Sequence, residues 1–95
     1  MTEAEKAVSV HIEGRVQGVG FRMRAREEAT RRGLRGWVRN RRDGSVEALF
    51  VGPSALVDEM VRRCRRGPST ARIESVDVAI AKDDGCVGFV DAPNV

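Results

Sequence analysis

The sequence predicts an α+β sandwich in the order β-α-β-β-α-β: a four-stranded antiparallel sheet, with room for a short fifth strand, carrying two helices on one face. Three observations predict it. Two stretches place apolar residues at helical spacing, Phe21-Ala25-Ala29 and Leu56-Val57-Met60-Val61-Cys64. Alternating or continuous apolar runs stand before, between and after these stretches. Between them lies an Asp43-Gly44 turn, a strong short hairpin signal. A hairpin flanked by two crossover helices is the split βαβ, ferredoxin-like arrangement, in which strands one and three are central.

Taken in order, residues 1–6 are polar and expected to fray. Val8, Val10 and Ile12 alternate with Ser9, His11 and Glu13, the period of a half-buried strand, placed at Ala7 to Glu13. A glycine-rich loop follows, then a helix from Phe21 to Arg32, stopped by Gly33 with Leu34 continuing its apolar contact. Strand two covers Arg35 to Arg41, with Trp37 as core bulk. After the turn at Arg42-Asp43-Gly44-Ser45, strand three (Val46 to Val51) is apolar on both faces, as a central strand should be. Gly52-Pro53-Ser54 opens the second helix and Gly67-Pro68 closes it. Strand four spans Arg72 to Ile80, and its apolar phase shifts around Glu74-Ser75, which predicts a bulge there. Asp83-Asp84-Gly85 is a further turn, and Val87 to Val90 the short last strand.

The 95 residues make one domain, 1–95, with a modest core. No apolar run approaches a membrane span, and the opening Met1-Thr2-Glu3-Ala4-Glu5-Lys6 has no secretory character. Cys64 and Cys86 lack metal spacing and read as free thiols, so a reducing cytoplasm is the expected compartment and a monomer the expected state. The net charge of +3 is uneven: Arg15 to Arg42 holds ten arginines against Glu27 and Glu28. Such a field favours anionic partners, although solvated faces and helix C-termini account for most of these cations.

Chemistry concentrates in residues 14 to 22, Gly14-Arg15-Val16-Gln17-Gly18-Val19-Gly20-Phe21-Arg22, a strand-to-helix loop. Glycines let backbone N–H groups turn inward, and a helix N-terminus adds unpaired donors. A guanidinium at the same place offers two-pronged contact to phosphate. A tight turn with a solvated arginine is the alternative. Neither the dinucleotide glycine pattern nor a Walker loop is present. The rest of the inventory excludes much. His11 is mid-strand, no serine or cysteine has an evident base, and no metal-ligand spacing appears, so neither metal nor cofactor is expected. An enzyme built from this chain works by positioning and electrostatics, which suits phosphoryl transfer with a good leaving group such as a carboxylate. Asn40 can aim a water without adding charge, or can simply end a strand.

These stretches resemble the acylphosphatase family. Ile12-Glu13-Gly14-Arg15-Val16-Gln17-Gly18-Val19-Gly20-Phe21-Arg22 is similar to its first motif, and Gly36-Trp37-Val38-Arg39-Asn40 with Gly44, Val46 and Gly52 to its second. The resemblance implies metal-free hydrolysis of the carboxyl-phosphate bond. It implies that Arg22 holds the phosphate with the backbone N–H groups of residues 16–21, and that Asn40 orients the attacking water. It further implies that the phosphate itself takes the water's proton, that Gly14, Gly18 and Gly20 shape the loop, and that Gln17 supports it. The whole segment Arg15, Val16, Gln17, Gly18, Val19, Gly20, Phe21 is the expected phosphate loop, which inorganic phosphate or sulfate would also occupy. Met23 replaces an aromatic residue common in relatives, and Gly88 to Pro93 lacks their basic finish. The rivals are an accessory domain binding phosphate or carbamoyl phosphate, and a module binding single-stranded RNA. The second is disfavoured because such sheets need exposed aromatics for base stacking, and of the chain's three Phe and one Trp, Phe21, Trp37 and Phe50 look committed to the core.

Overall fold

The computed structural model describes residues 4–95. The elements are β1 (Glu5–Arg15), α1 (Phe21–Arg31), β2 (Arg35–Asn40), β3 (Val46–Pro53), α2 (Ser54–Arg66), β4 (Arg72–Ile80) and β5 (Phe89–Asp91). They form one five-stranded sheet in the order β4-β1-β3-β2-β5. Strands β1 and β3 are central, as the topology requires. All pairs are antiparallel except β2 with β5, which run parallel. The fifth strand therefore makes the sheet mixed, and it lies slightly later than Val87 to Val90.

The alternation in β1 decides which face is buried. Val8, Val10 and Ile12 point to the helices, and β3 adds Val46, Ala48 and Phe50. Phe21, Ala25 and Ala29 of α1 and Val57, Met60 and Cys64 of α2 close this core. Phe50 is fully buried, so truncating it would cost roughly 3–5 kcal/mol. At the end of α1, Gly33 takes φ 68° and the N–H groups of Gly33 and Leu34 donate to the carbonyls of Thr30 and Ala29. That is the double bond of a glycine-stopped helix, and it turns Leu34 into the core. The predicted bulge is present: Glu13 pairs with Ser75 but Gly14 with Ile73, leaving Glu74 extra. Gly14 there takes φ 127°, and a Cβ on it would meet the Arg72 carbonyl oxygen at 2.1 Å.

Two expectations need correction. β1 begins at Glu5, and Ala4 to Lys6 are anchored: the Ala4 carbonyl accepts from Ser54 N–H at 2.8 Å, and Lys6 pairs with Asp58. Residues 1–3 lie outside the described residues. Trp37 is not in the main core. Val38 takes the helix-side position, so strand parity sends Trp37 to the open face, half-buried beside Ala7, Leu49 and Val51 and 4.6 Å under the Arg39 guanidinium.

Candidate active site

Residues 16–20 carry the chain from β1 into α1. Gly18 and Gly20 take φ 73° and 82°, values that favour glycine. Gly20 is the N-cap of α1; no side chain caps that end, and its first turn holds no acid. The first N–H groups of the helix are therefore left to an anion or solvent. Four pins hold the loop in place. Val16 and Phe21 are buried. Gln17 Nε2 donates to the carbonyls of Arg41 (2.7 Å) and Ser45 (2.8 Å), tying the loop to the β2–β3 hairpin. Thr70 Oγ1 donates to the Val19 carbonyl at 2.8 Å from the other side.

The hairpin is itself braced. Asp43 Oδ1 accepts from the backbone N–H of Ser45 at 2.9 Å and from its hydroxyl at 2.5 Å. These bonds hold the Asp43 carboxyl below the usual range. Because the Ser45 hydroxyl proton goes to Asp43, Ser45 Oγ accepts from His11 Nε2 at 2.8 Å. His11 is thus a satisfied sheet residue.

Loop, helix and hairpin enclose a cavity of about 350 Å³. Of the residues singled out by sequence, it is lined by Val16, Gln17, Gly18, Gly20, Phe21, Arg22 and Asn40. The other two lie elsewhere: Arg15 is exposed at the end of β1 beside Glu13 and Glu74, and the Val19 side chain packs against the core. Asn40 shares the helix-side face with Val38, and its Oδ1 is buried without a hydrogen bond to any of the described residues. A buried acceptor in that state costs about 1–3 kcal/mol unless a donor reaches it. Arg22 Nη1 donates to Asn94 Oδ1 at 3.2 Å, and the backbone N–H of Asn40 donates to the same oxygen at 3.3 Å. One oxygen, Asn94 Oδ1, therefore accepts from both residues at once. Asp91 accepts from Arg26 Nη1 at 2.8 Å and lies 3.5 Å from Arg22 Nε.

Sequence reasoning missed Arg26, Asp91 and Asn94. The parallel pairing of β5 with β2, Val38 opposite Asp91, brings Asp91 to the cavity, and the chain beyond it sets Asn94 against Arg22 and Asn40. It also missed that sheet register gathers donor atoms of His11, Glu13 and Asp77 within 4.8 Å of one another; that group sits on the open face, across the sheet from the cavity. A second hollow of about 220 Å³ between α1 and α2 has Cys64 in its wall. Burial pushes that thiol up to about 12, so it offers no thiolate nucleophile.

Fold and cavity together define a ferredoxin-like α/β sandwich with a glycine-rich loop and an arginine at the entrance of its first helix. Comparison with known proteins makes this specific. The Acylphosphatase family model matches residues 8–90. The chain is 64% identical over 66 residues to an acylphosphatase of Nitrobacter hamburgensis, covering 70% of this chain and 67% of that one. It is 49% identical over 86 residues to that of Rhizorhabdus wittichii, covering 90% and 87%. The crystal structure of the acylphosphatase from Bacillus subtilis superposes with a TM-score of 0.88 at 33% identity, covering 95% of this chain and 100% of that one. The chain belongs to the acylphosphatase family, hydrolases acting on acid anhydrides.

Proposed function

We propose that this chain hydrolyses acyl phosphates to a carboxylate and inorganic phosphate, with Arg22 and the loop N–H groups holding the phosphoryl group and Asn40 aiming the water. One observation carries the division of roles: a single oxygen, Asn94 Oδ1, is shared by Arg22 Nη1 and the Asn40 N–H. A phosphoryl oxygen in that position touches both residues at once, with the orphaned Asn40 Oδ1 beside it to accept from a water. The water oxygen attacks phosphorus opposite the carboxylate, the P–O bond to the acyl group breaks, and the water's proton passes to a phosphoryl oxygen. The leaving carboxylate needs no acid, and the guanidinium and loop N–H groups stabilise the equatorial charge, so no step calls for a metal. Inorganic phosphate or sulfate fits the same donors. We take the working form to be a monomer in the cytoplasm, which agrees with the free Cys64 and Cys86 thiols.

The test is benzoyl phosphate hydrolysis in excess EDTA by the wild type and by Arg22→Ala. Turnover in the wild type with at least a hundredfold loss in the variant is the expected result, the scale of removing one transition-state charge contact. Phosphate binding without any turnover would instead make this a ligand-binding accessory domain.

A further inference from the structure

We propose that Asp91 sets the substrate class of this cavity, by excluding acyl phosphates whose acyl group bears a second carboxylate. The inference rests on reading the cavity as a phosphoryl site. With the phosphoryl group on the loop and Arg22, and the water on Asn40, the lining left for the acyl group is Met23, Arg26 and Asp91. Met23 is 56% exposed and offers apolar surface to a hydrocarbon acyl chain. Arg26 lies one helical turn beyond Arg22 and is the cation that a second carboxylate would seek.

Arg26 is already taken. Asp91 Oδ2 accepts from its Nη1 at 2.8 Å, while Asp91 Oδ1 lies 3.5 Å from Arg22 Nε. The chain thus supplies from β5 the carboxylate that an acidic acyl group would bring. The sheet fixes it there: Asp91 pairs with Val38, and Ala92 N–H donates to the Val38 carbonyl at 2.9 Å. Phe89, on the same side of β5, stacks on Phe50 with centroids 5.5 Å apart. A dicarboxylic substrate would crowd its free carboxylate against Asp91 or break the ion pair. An uncharged acyl group meets Met23 and leaves the pair intact.

Binding of two phosphonates, which cannot be hydrolysed, tests this apart from turnover. Methylphosphonate presents the anion alone; phosphonoacetate adds one carboxylate. Calorimetric titration would compare the wild type, Asp91→Asn and the double variant Asp91→Asn/Arg26→Gln. The wild type should bind methylphosphonate about tenfold more tightly than phosphonoacetate, the effect of a like-charge contact at a half-exposed site. Asp91→Asn should reverse the order by freeing Arg26, and the added Arg26→Gln should remove the reversal. A purely structural Asp91 would weaken both probes equally, so a ratio unchanged in Asp91→Asn overturns the proposal alone. Failure of the wild type to bind methylphosphonate would overturn the phosphoryl-site reading and the proposal with it.

Discussion

Gln17 uses both hydrogens of one amide to join two segments that are far apart in sequence, the proposed phosphate loop and the carbonyls of Arg41 and Ser45. Gln17→Ala removes two hydrogen bonds while the Arg41 and Ser45 carbonyls keep their backbone donors from Gly44 and Arg41, which at about 0.5–1.5 kcal/mol per bond should cost about 1–3 kcal/mol in urea unfolding. It should also weaken inorganic phosphate binding several-fold, because the loop N–H groups lose their fixed aim. Unchanged phosphate affinity in that variant would show that Val16, Phe21 and Thr70 suffice to hold the loop. At this scale the sequence was informative wherever a role is local. Gly18 and Gly20 had to take positive φ for the chain to turn into α1, and Arg22 followed from its place in the first helical turn. From its own residue chemistry Asn40 was legible only as a polar residue out of place in a strand; its role came from the resemblance of Gly36 to Asn40 to a family motif. Asp91 and Asn94 were not legible, because nothing in a short C-terminal stretch says which strand edge it will join. Trp37 was assigned to the wrong face because its bulk was weighed above strand parity.

Elements were legible in proportion to their periodicity. The apolar stripes fixed both helices to within a residue, and the phase change in β4 revealed the bulge at Glu74. β5 was visible only as a short apolar run, and its parallel pairing depends on a return path that no local pattern encodes. That edge meets the sheet through Gly36, which has φ 139° and comes close enough to β3 that an added Cβ would stand 1.8 Å from the Leu49 carbonyl oxygen. The same Cβ would touch the Phe89 ring at 3.2 Å. Gly36→Ala should therefore destabilise the fold by about 2–4 kcal/mol, combining strain at a positive φ with displacement of β3. Chemical denaturation would measure it, and a loss below about 0.5 kcal/mol, the range of an ordinary surface change, would show that β2 and β3 separate without cost.

Across the whole molecule, most of the basic field is answered locally. Arg22 and Arg26 meet Asp91, Arg35 meets Asp83, and Arg39 and Arg41 meet Glu47. The two helices are joined by Glu28, buried on α1, which accepts from Arg63 of α2 at 2.9 and 2.6 Å. The Arg63 hydrogen bonds hold this carboxyl below its usual range, against the opposing effect of burial. A carboxyl whose folded pKa is lowered adds stability above its unfolded pKa and loses it as pH falls through the folded value. The melting temperature should accordingly drop as pH falls below the ordinary carboxylate range, and Glu28→Gln should flatten that drop. An identical acid slope in the variant would place the sensitivity in other carboxylates.

The account rests on Asn40 and Arg22 doing different things to one bound phosphoryl group. Its most direct test is Asn40→Ala, measured for both benzoyl phosphate turnover and inorganic phosphate affinity. The prediction is a split: kcat falls at least a hundredfold, the scale of losing a positioned reactant, while the phosphate Kd stays within about threefold of wild type because Arg22 and the loop remain. A near-normal kcat, or loss of phosphate binding in step with turnover, would contradict it.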